Sequence, residues 1–206
     1  MTDSREDKNG LRVSPDGKWI AYYSGNREIR AVRPDGRDDR RLAEMDFGGR
    51  FADDFVWSPD SRYLAAAAPR NGQDDLFAIE VETGKEVLLT NTAYDEGAPV
   101  WTPDGKSLLF SSNRTGHSFP EFTGQNDLFR LFLKPQPPEF DEDAFDKLFA
   151  KEEPKDQPKD KPAPKPEAKP AAKDEVKVEL NLEDIDRQTE IVARTLGNEY
   201  EYIYLP

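Results

Sequence analysis

The sequence predicts an all-β chain built from about three copies of one four-stranded unit, and three observations predict it. The first is a recurring turn. Val56-Trp57-Ser58-Pro59-Asp60-Ser61-Arg62-Tyr63-Leu64 returns as Val100-Trp101-Thr102-Pro103-Asp104-Gly105-Lys106-Ser107-Leu108, and in weaker form as Arg12-Val13-Ser14-Pro15-Asp16-Gly17-Lys18-Trp19-Ile20. The Pro-Asp pairs begin at 15, 59 and 103, a period of 44 residues held twice. The second is the character of the flanks, which are short apolar runs bounded by turn residues, the pattern of buried strands. The third is that further turn signals cut each period into four short segments.

The turn is explained residue by residue. Proline presets φ at the first central position, aspartate caps backbone N–H groups two residues on, and glycine supplies backbone freedom. In the first unit, strands are expected at Gly10–Val13, Trp19–Ser24, Glu28–Val32 and Arg40–Ala43, joined at Gly25-Asn26 and Arg33-Pro34-Asp35-Gly36. In the second they are expected at Phe55–Trp57, Tyr63–Ala67, Asp75–Val81 and Glu86–Thr90. The third gives Pro99–Trp101, Leu108–Ser111 and, after an insertion from Arg114 to Gln125, Asp127–Leu133. Its fourth strand is delayed. Four short strands per repeat joined by tight turns is the pattern of a β-propeller blade, so the three repeats fall at 11–43, 55–90 and 98–134 within a first region of residues 1–134.

Residues 135–150 follow. Phe140, Ala144, Phe145, Leu148 and Phe149 fall on one side at helical spacing, which predicts a short amphipathic helix from Asp141 to Lys151 that docks its aromatic face on the propeller. Residues 151–175 hold seven Lys, seven Asp or Glu and six Pro. That stretch has too little apolar surface to offset the entropy of ordering, so a disordered polyampholyte linker is expected. Residues 176–206 resume with Val176-Lys177-Val178-Glu179-Leu180-Asn181-Leu182, whose alternation predicts the delayed fourth strand or a strand beside it. Asn198 to Pro206 reads as the opening of a following propeller or domain. Three blades cannot close a ring, since propellers hold about 4 to 8. The expectation is therefore a piece of a longer chain, or assembly with copies of itself.

Composition narrows function. The formal charge of −13 supplies no basic footprint for phosphates, so no nucleic-acid partner is expected. No stretch approaches 18 consecutive apolar residues, so no membrane span is expected. There are no cysteines, which removes disulfides and thiolate metal sites. The N-terminus lacks the basic start and apolar core of a signal peptide, which reads as cytoplasmic, or as periplasmic if a leader lies upstream of Met1.

No catalytic, cofactor-binding or metal-binding constellation emerges. The single histidine, His117, sits in a polar turn without partners in the pattern of a triad or a zinc site. No nucleophile elbow, His-Glu-x-x-His pair or phosphate loop is present. Asp16, Asp60 and Asp104 repeat as structural turn formers do, whereas a catalytic pair needs unlike environments. The one candidate site is an acidic rim. Asp53, Asp54, Asp95 and Glu96 lie in the loops entering the innermost strands of the second and third units, where they would border a central channel and attract basic peptides.

The repeats resemble the WD40-like PD40 repeats of TolB and of the tricorn protease propellers. Their mark is the Trp-Ser/Thr-Pro-Asp-Gly turn followed by a Ser-Asn/Asp-Arg-x-Gly turn, here Ser112-Asn113-Arg114-Thr115-Gly116. The charged insertion followed by Val176 to Gln188 is similar to the join between the two propellers of bacterial tricorn-like proteases of the S41 peptidase family. That resemblance implies a large cytoplasmic peptidase whose propellers filter peptides or unfolded polypeptide. Its Ser/His catalytic core would lie C-terminal to the propellers, so no catalytic residue is carried over to this chain. Two other readings stand beside it. One is a non-enzymatic TolB-like scaffold for protein partners. The other is the propeller of a prolyl-oligopeptidase-type enzyme.

Overall fold

The computed structural model describes residues 6–25, 27–44, 55–114, 126–137 and 176–193. The chain divides into two units, one of residues 1–135 with 175–206 and one of residues 136–174. The expected helix at 141–151, the linker at 151–175, His117, Asp53 and Asp54 lie outside the described residues.

Twelve strands are seen among the described residues. The first sheet holds β1 (Lys8–Val13), β2 (Ile20–Ser24), β3 (Glu28–Val32) and β4 (Arg40–Glu44). The second holds β5 (Phe55–Trp57), β6 (Tyr63–Arg70), β7 (Gln73–Glu80) and β8 (Glu86–Leu88). The third holds β9 (Glu96–Trp101), β10 (Ser107–Ser112), β11 (Asp127–Phe132) and β12 (Thr189–Ala193). All three are four-stranded antiparallel meanders in chain order. They do not close into a ring: this is a partial propeller.

The sheets stack face to face, and β6 shows why its sequence is a run rather than an alternation. Leu64, Ala66 and Ala68 point into a core shared with Trp19, Ala21, Tyr23, Ile29 and Ala31 of the first sheet. Tyr63 and Ala65 point the other way, into a core shared with Trp101, Leu108, Phe110 and Phe129 of the third. A strand buried on both faces must be apolar at every position. Its alanines leave room on each face for aromatic rings from the neighbouring sheets.

The repeated turns are built alike. In each, the Ser or Thr hydroxyl donates to the Asp carboxylate: Ser14 to Asp16 at 2.7 Å, Ser58 to Asp60 at 2.6 Å and Thr102 to Asp104 at 2.6 Å. The same oxygen accepts the N–H five residues on, from Trp19, Tyr63 and Ser107. The third central residue is left-handed every time, at φ of 70° for Gly17, 62° for Ser61 and 67° for Gly105. The turns also link neighbouring sheets. The Asp16 N–H donates to Ser61 Oγ at 3.0 Å. The tryptophans act similarly: Trp57 Nε1 donates to the Arg12 carbonyl at 3.0 Å and Trp101 Nε1 to the Val56 carbonyl at 3.2 Å, each reaching 45 residues back to the previous sheet.

One expectation is corrected. The fourth strand of the third sheet is Thr189–Ala193, paired with β11, and not Val176–Leu182. Val178, Leu180 and Leu182 do bury one face on the core between the second and third sheets, and Val176 lies against Gly105. Face burial does not require ladder pairing, however. The segment instead runs as a strap over the turns. Val178 N–H donates to Asp60 Oδ2 at 2.8 Å, and Asn181 N–H to the Leu133 carbonyl at 2.8 Å. Gln188 then turns the chain into β12. It is 2% exposed, accepts the Glu183 and Asp184 N–H groups, and donates to the Phe132 and Asn181 carbonyls.

Candidate functional site

Strand direction alternates within each sheet, so the two ends of the stack differ. The Pro-Asp turns and the β3–β4 and β7–β8 turns lie at one end. The connection from β8 to β9 and the Ser112-Asn113-Arg114 segment lie at the other. Asp95 and Glu96 of the expected acidic rim belong to this second end.

Asp95 is exposed and cross-tied. Its carboxylate accepts the Asp74 N–H at 3.2 Å, and its own N–H donates to Asn113 Oδ1 at 3.0 Å. Glu96, the first residue of β9, is turned inward and is 2% exposed. Its Oε1 accepts from the Arg114 guanidinium and from Thr92 Oγ1, the latter at 3.0 Å. Its Oε2 is buried and makes no hydrogen bond among the described residues, as is true of Oδ2 of neighbouring Asp75. Burial pushes the Glu96 carboxyl up, and Thr90, Arg114 and Thr92 oppose that rise without cancelling it. Arg114 lies over the rings of Phe129 and Phe110 and donates to Ser112 Oγ. The Ser-Asn-Arg segment therefore pins the start of β9 to the end of β10.

This arrangement is a buried ion pair beside one exposed carboxylate. Glu96 is held against Arg114 and does not present its carboxylate to a channel. Among the described residues no group of three or more His, Asp or Glu side chains is placed to hold a metal ion. No described helix is long and apolar enough to cross a membrane, which says nothing of a β-barrel.

At the opposite end lies a feature that sequence reasoning missed. A cleft of about 240 Å³ opens between the Pro-Asp turns of the first two sheets, bordered by Asp16, Lys18 and Trp19 of the first and by Asp60, Ser61, Arg62, Glu80 and Glu82 of the second. Asp16 is the most perturbed carboxylate there. Burial works to raise its pKa, but the Ser14 hydroxyl, the Lys18 N–H and the Lys18 ammonium outweigh it and bring it down to about 2. The signal available in the sequence was the 44-residue repeat itself, because equal turns on neighbouring sheets must leave equivalent gaps between them.

These features define the class: the chain is a partial β-propeller of the kind found in TolB and the tricorn proteases. No protein-family model matches it. Over 107 residues it is 38% identical to the uncharacterized peptidase YuxL of Bacillus subtilis, covering 48% of this chain and 16% of that one. Over 108 residues it is 28% identical to tricorn protease homolog 1 of Streptomyces coelicolor, covering 51% and 10%. Over 58 residues it is 29% identical to TolB of Francisella tularensis, covering 28% and 13%. Among solved structures, the tricorn protease aligns over 96% of this chain and 18% of its own, with a TM-score of 0.61 and 17% identity, a likeness of fold. The chain thus spans a small part of each of these relatives.

Proposed function

We propose that this chain is the propeller portion of a tricorn-like, serine-type peptidase of the S41 kind, docking or gating peptide substrates for a catalytic core located outside these blades. The reading rests on the resemblance of the PD40-type turns and of the join at Val176–Gln188. Identity over about half of the chain to a protein named as a peptidase and to a tricorn homologue supports it. On this reading the protein works in the cytoplasm, takes peptides or unfolded polypeptide, and needs no cofactor in its propeller. The exposed Asp95 contributes to an acidic rim that draws in basic peptides, while Glu96 serves it by fixing the loop.

The test is the size of the native polypeptide in its source cells, read with an antibody against residues 151–175. A product several times larger than 23.4 kDa that co-purifies with hydrolysis of fluorogenic peptides, sensitive to a serine-directed inhibitor, is the expected result. A product near 23.4 kDa without that activity overturns the reading. The match to TolB favours a second reading, a non-enzymatic scaffold; export to the periplasm and capture of protein partners without hydrolysis would select it.

A further inference from the structure

The strap and the cleft occupy equivalent places. A shift of 44 residues carries Asp16 onto Asp60, Lys18 onto Arg62 and Ser61 onto Gly105. It carries the gap between the first and second sheets onto the gap between the second and third. The second gap is filled. There the strap lies extended. Val178 N–H donates to Asp60 Oδ2 at 2.8 Å, and Arg62 Nη1 donates to the Val178 carbonyl at 3.4 Å. A Cβ on Gly105 would fall 2.9 Å from Val176 Cγ1 and 3.0 Å from Val178 Cγ2, so glycine makes the room that the valines take. The first gap holds no strap and is the open cleft, bordered by the corresponding Asp16, Lys18 and Ser61 and also by Asp60 and Arg62, with Arg33 and Arg40 reaching Glu82 beside it.

We propose that this cleft is a binding site for an extended peptide, recognised through its main chain as the strap is recognised one blade on. Asp16 Oδ2, whose partner is the Lys18 ammonium at 3.1 Å, takes the place of Asp60 Oδ2 and accepts the guest N–H. Lys18 takes the place of Arg62 and donates to the guest carbonyl. Two departures from the filled gap bear on the guest's sequence. Ser61 stands where Gly105 stands, and its side chain claims the space of a valine γ-methyl, so the guest carries alanine, glycine or serine at the positions of Val176 and Val178. Register supplies the second. Tyr63 pairs with Glu80 as Ser107 pairs with Phe132. Val81 N–H donates to the Arg62 carbonyl as Leu133 N–H donates to the Lys106 carbonyl. Glu82 is therefore the counterpart of Lys134, and Lys134 is ion-paired with Glu179 of the strap. The charge is reversed, but Arg33 and Arg40 of the first sheet already pair with Glu82, at 3.7 and 3.6 Å, so this position needs no charge from the guest. The occupant is an extended segment of the type Ala-x-Ala.

This proposal does not rest on the peptidase reading, since a scaffold propeller could use the same site. It is tested on the full chain by fluorescence anisotropy with two labelled heptapeptides, Ala-Lys-Ala-Glu-Leu-Asn-Leu and the strap's own Val-Lys-Val-Glu-Leu-Asn-Leu. The first is expected to bind saturably below about 1 mM and the second at least roughly tenfold more weakly. Asp16→Asn keeps an oxygen for the turn but replaces the guest-facing acceptor with a donor, and weakens the first peptide. Ser61→Gly restores the room that Gly105 leaves for the valines of the strap and removes the preference between the two peptides. Absence of saturable binding by the first peptide, or an unchanged preference in Ser61→Gly, overturns the proposal. Either result leaves the size and hydrolysis tests of the peptidase reading untouched.

Discussion

At the scale of single residues, two carboxylates carry opposite pH behaviour. Glu96 is buried against Arg114 with its pKa raised, so its ionised form is the penalised one. Removing the arginine strands a buried charge, which typically costs about 3 kcal/mol or more. Arg114→Met is therefore expected to lower urea-unfolding stability by that order at neutral pH. The loss shrinks as pH falls and Glu96 takes up a proton, a trend that a purely steric defect would not show. Asp16 behaves in the reverse sense. Its pKa is lowered from 3.8 to about 2, so its contribution is present above 3.8 and is lost as pH falls towards 2. Asp104 is shifted in the same direction. Acid titration of stability should steepen in that window, and Asp16→Ala should flatten part of it. An unchanged acid limb in the variant would show that other carboxylates govern the loss.

At the scale of elements, the glycines of the repeated turns separate backbone strain from packing. Both Gly17 and Gly105 have positive φ, but a Cβ on Gly17 meets nothing within 4 Å while one on Gly105 meets the strap. Gly17→Ala should cost about 1 kcal/mol from strain alone. Gly105→Ala should cost about 2–4 kcal/mol, because overpacking adds to strain. Equal losses in thermal melts would mean that the strap does not press on that turn. The tryptophans give a second comparison. Trp101→Phe removes the indole N–H from the Val56 carbonyl, a partly buried bond worth about 1 kcal/mol. Trp57→Phe should cost less, because its bond to the Arg12 carbonyl is exposed and water replaces it.

At the scale of the whole molecule, the open stack leaves apolar surface uncovered among the described residues. Leu11 and Val13 of β1 are each 61% exposed, on the strand whose counterparts in the other sheets meet a preceding neighbour. Val13 stands at the position of Trp57 and Trp101 in the repeat. Exposed apolar residues on a sheet with an uncovered face favour association. Sedimentation of the full chain should show species that grow with concentration. The double substitution Leu11→Lys and Val13→Lys should shift them towards monomer, and an unchanged profile would place the contact elsewhere.

The sequence by itself determined the architecture, because periodicity is local. The spacing of 44, the Pro-Asp turns and the short apolar runs dictate three four-stranded sheets wherever the chain is placed. The apolar run Tyr63–Ala68 of β6 already required burial on both faces. Strand order followed too in the first two sheets, since their short turns allow only meanders, whereas the last strand of the third sheet arrives through a long connection. What the sequence left open depends on contacts between residues far apart in the chain. Val176–Leu182 alternates like a strand, and only the packed structure shows it spent as a strap while Thr189–Ala193 completes the sheet. Glu96 reads as a rim residue beside Asp95, yet β9 turns it inward to meet Arg114. Gln188 carries no sequence signal, and becomes a hub because four backbone groups converge on it. The cleft at Asp16 exists because one gap between turns is filled and its equivalent is open. That difference arises from where a distant segment docks, and no local pattern records it.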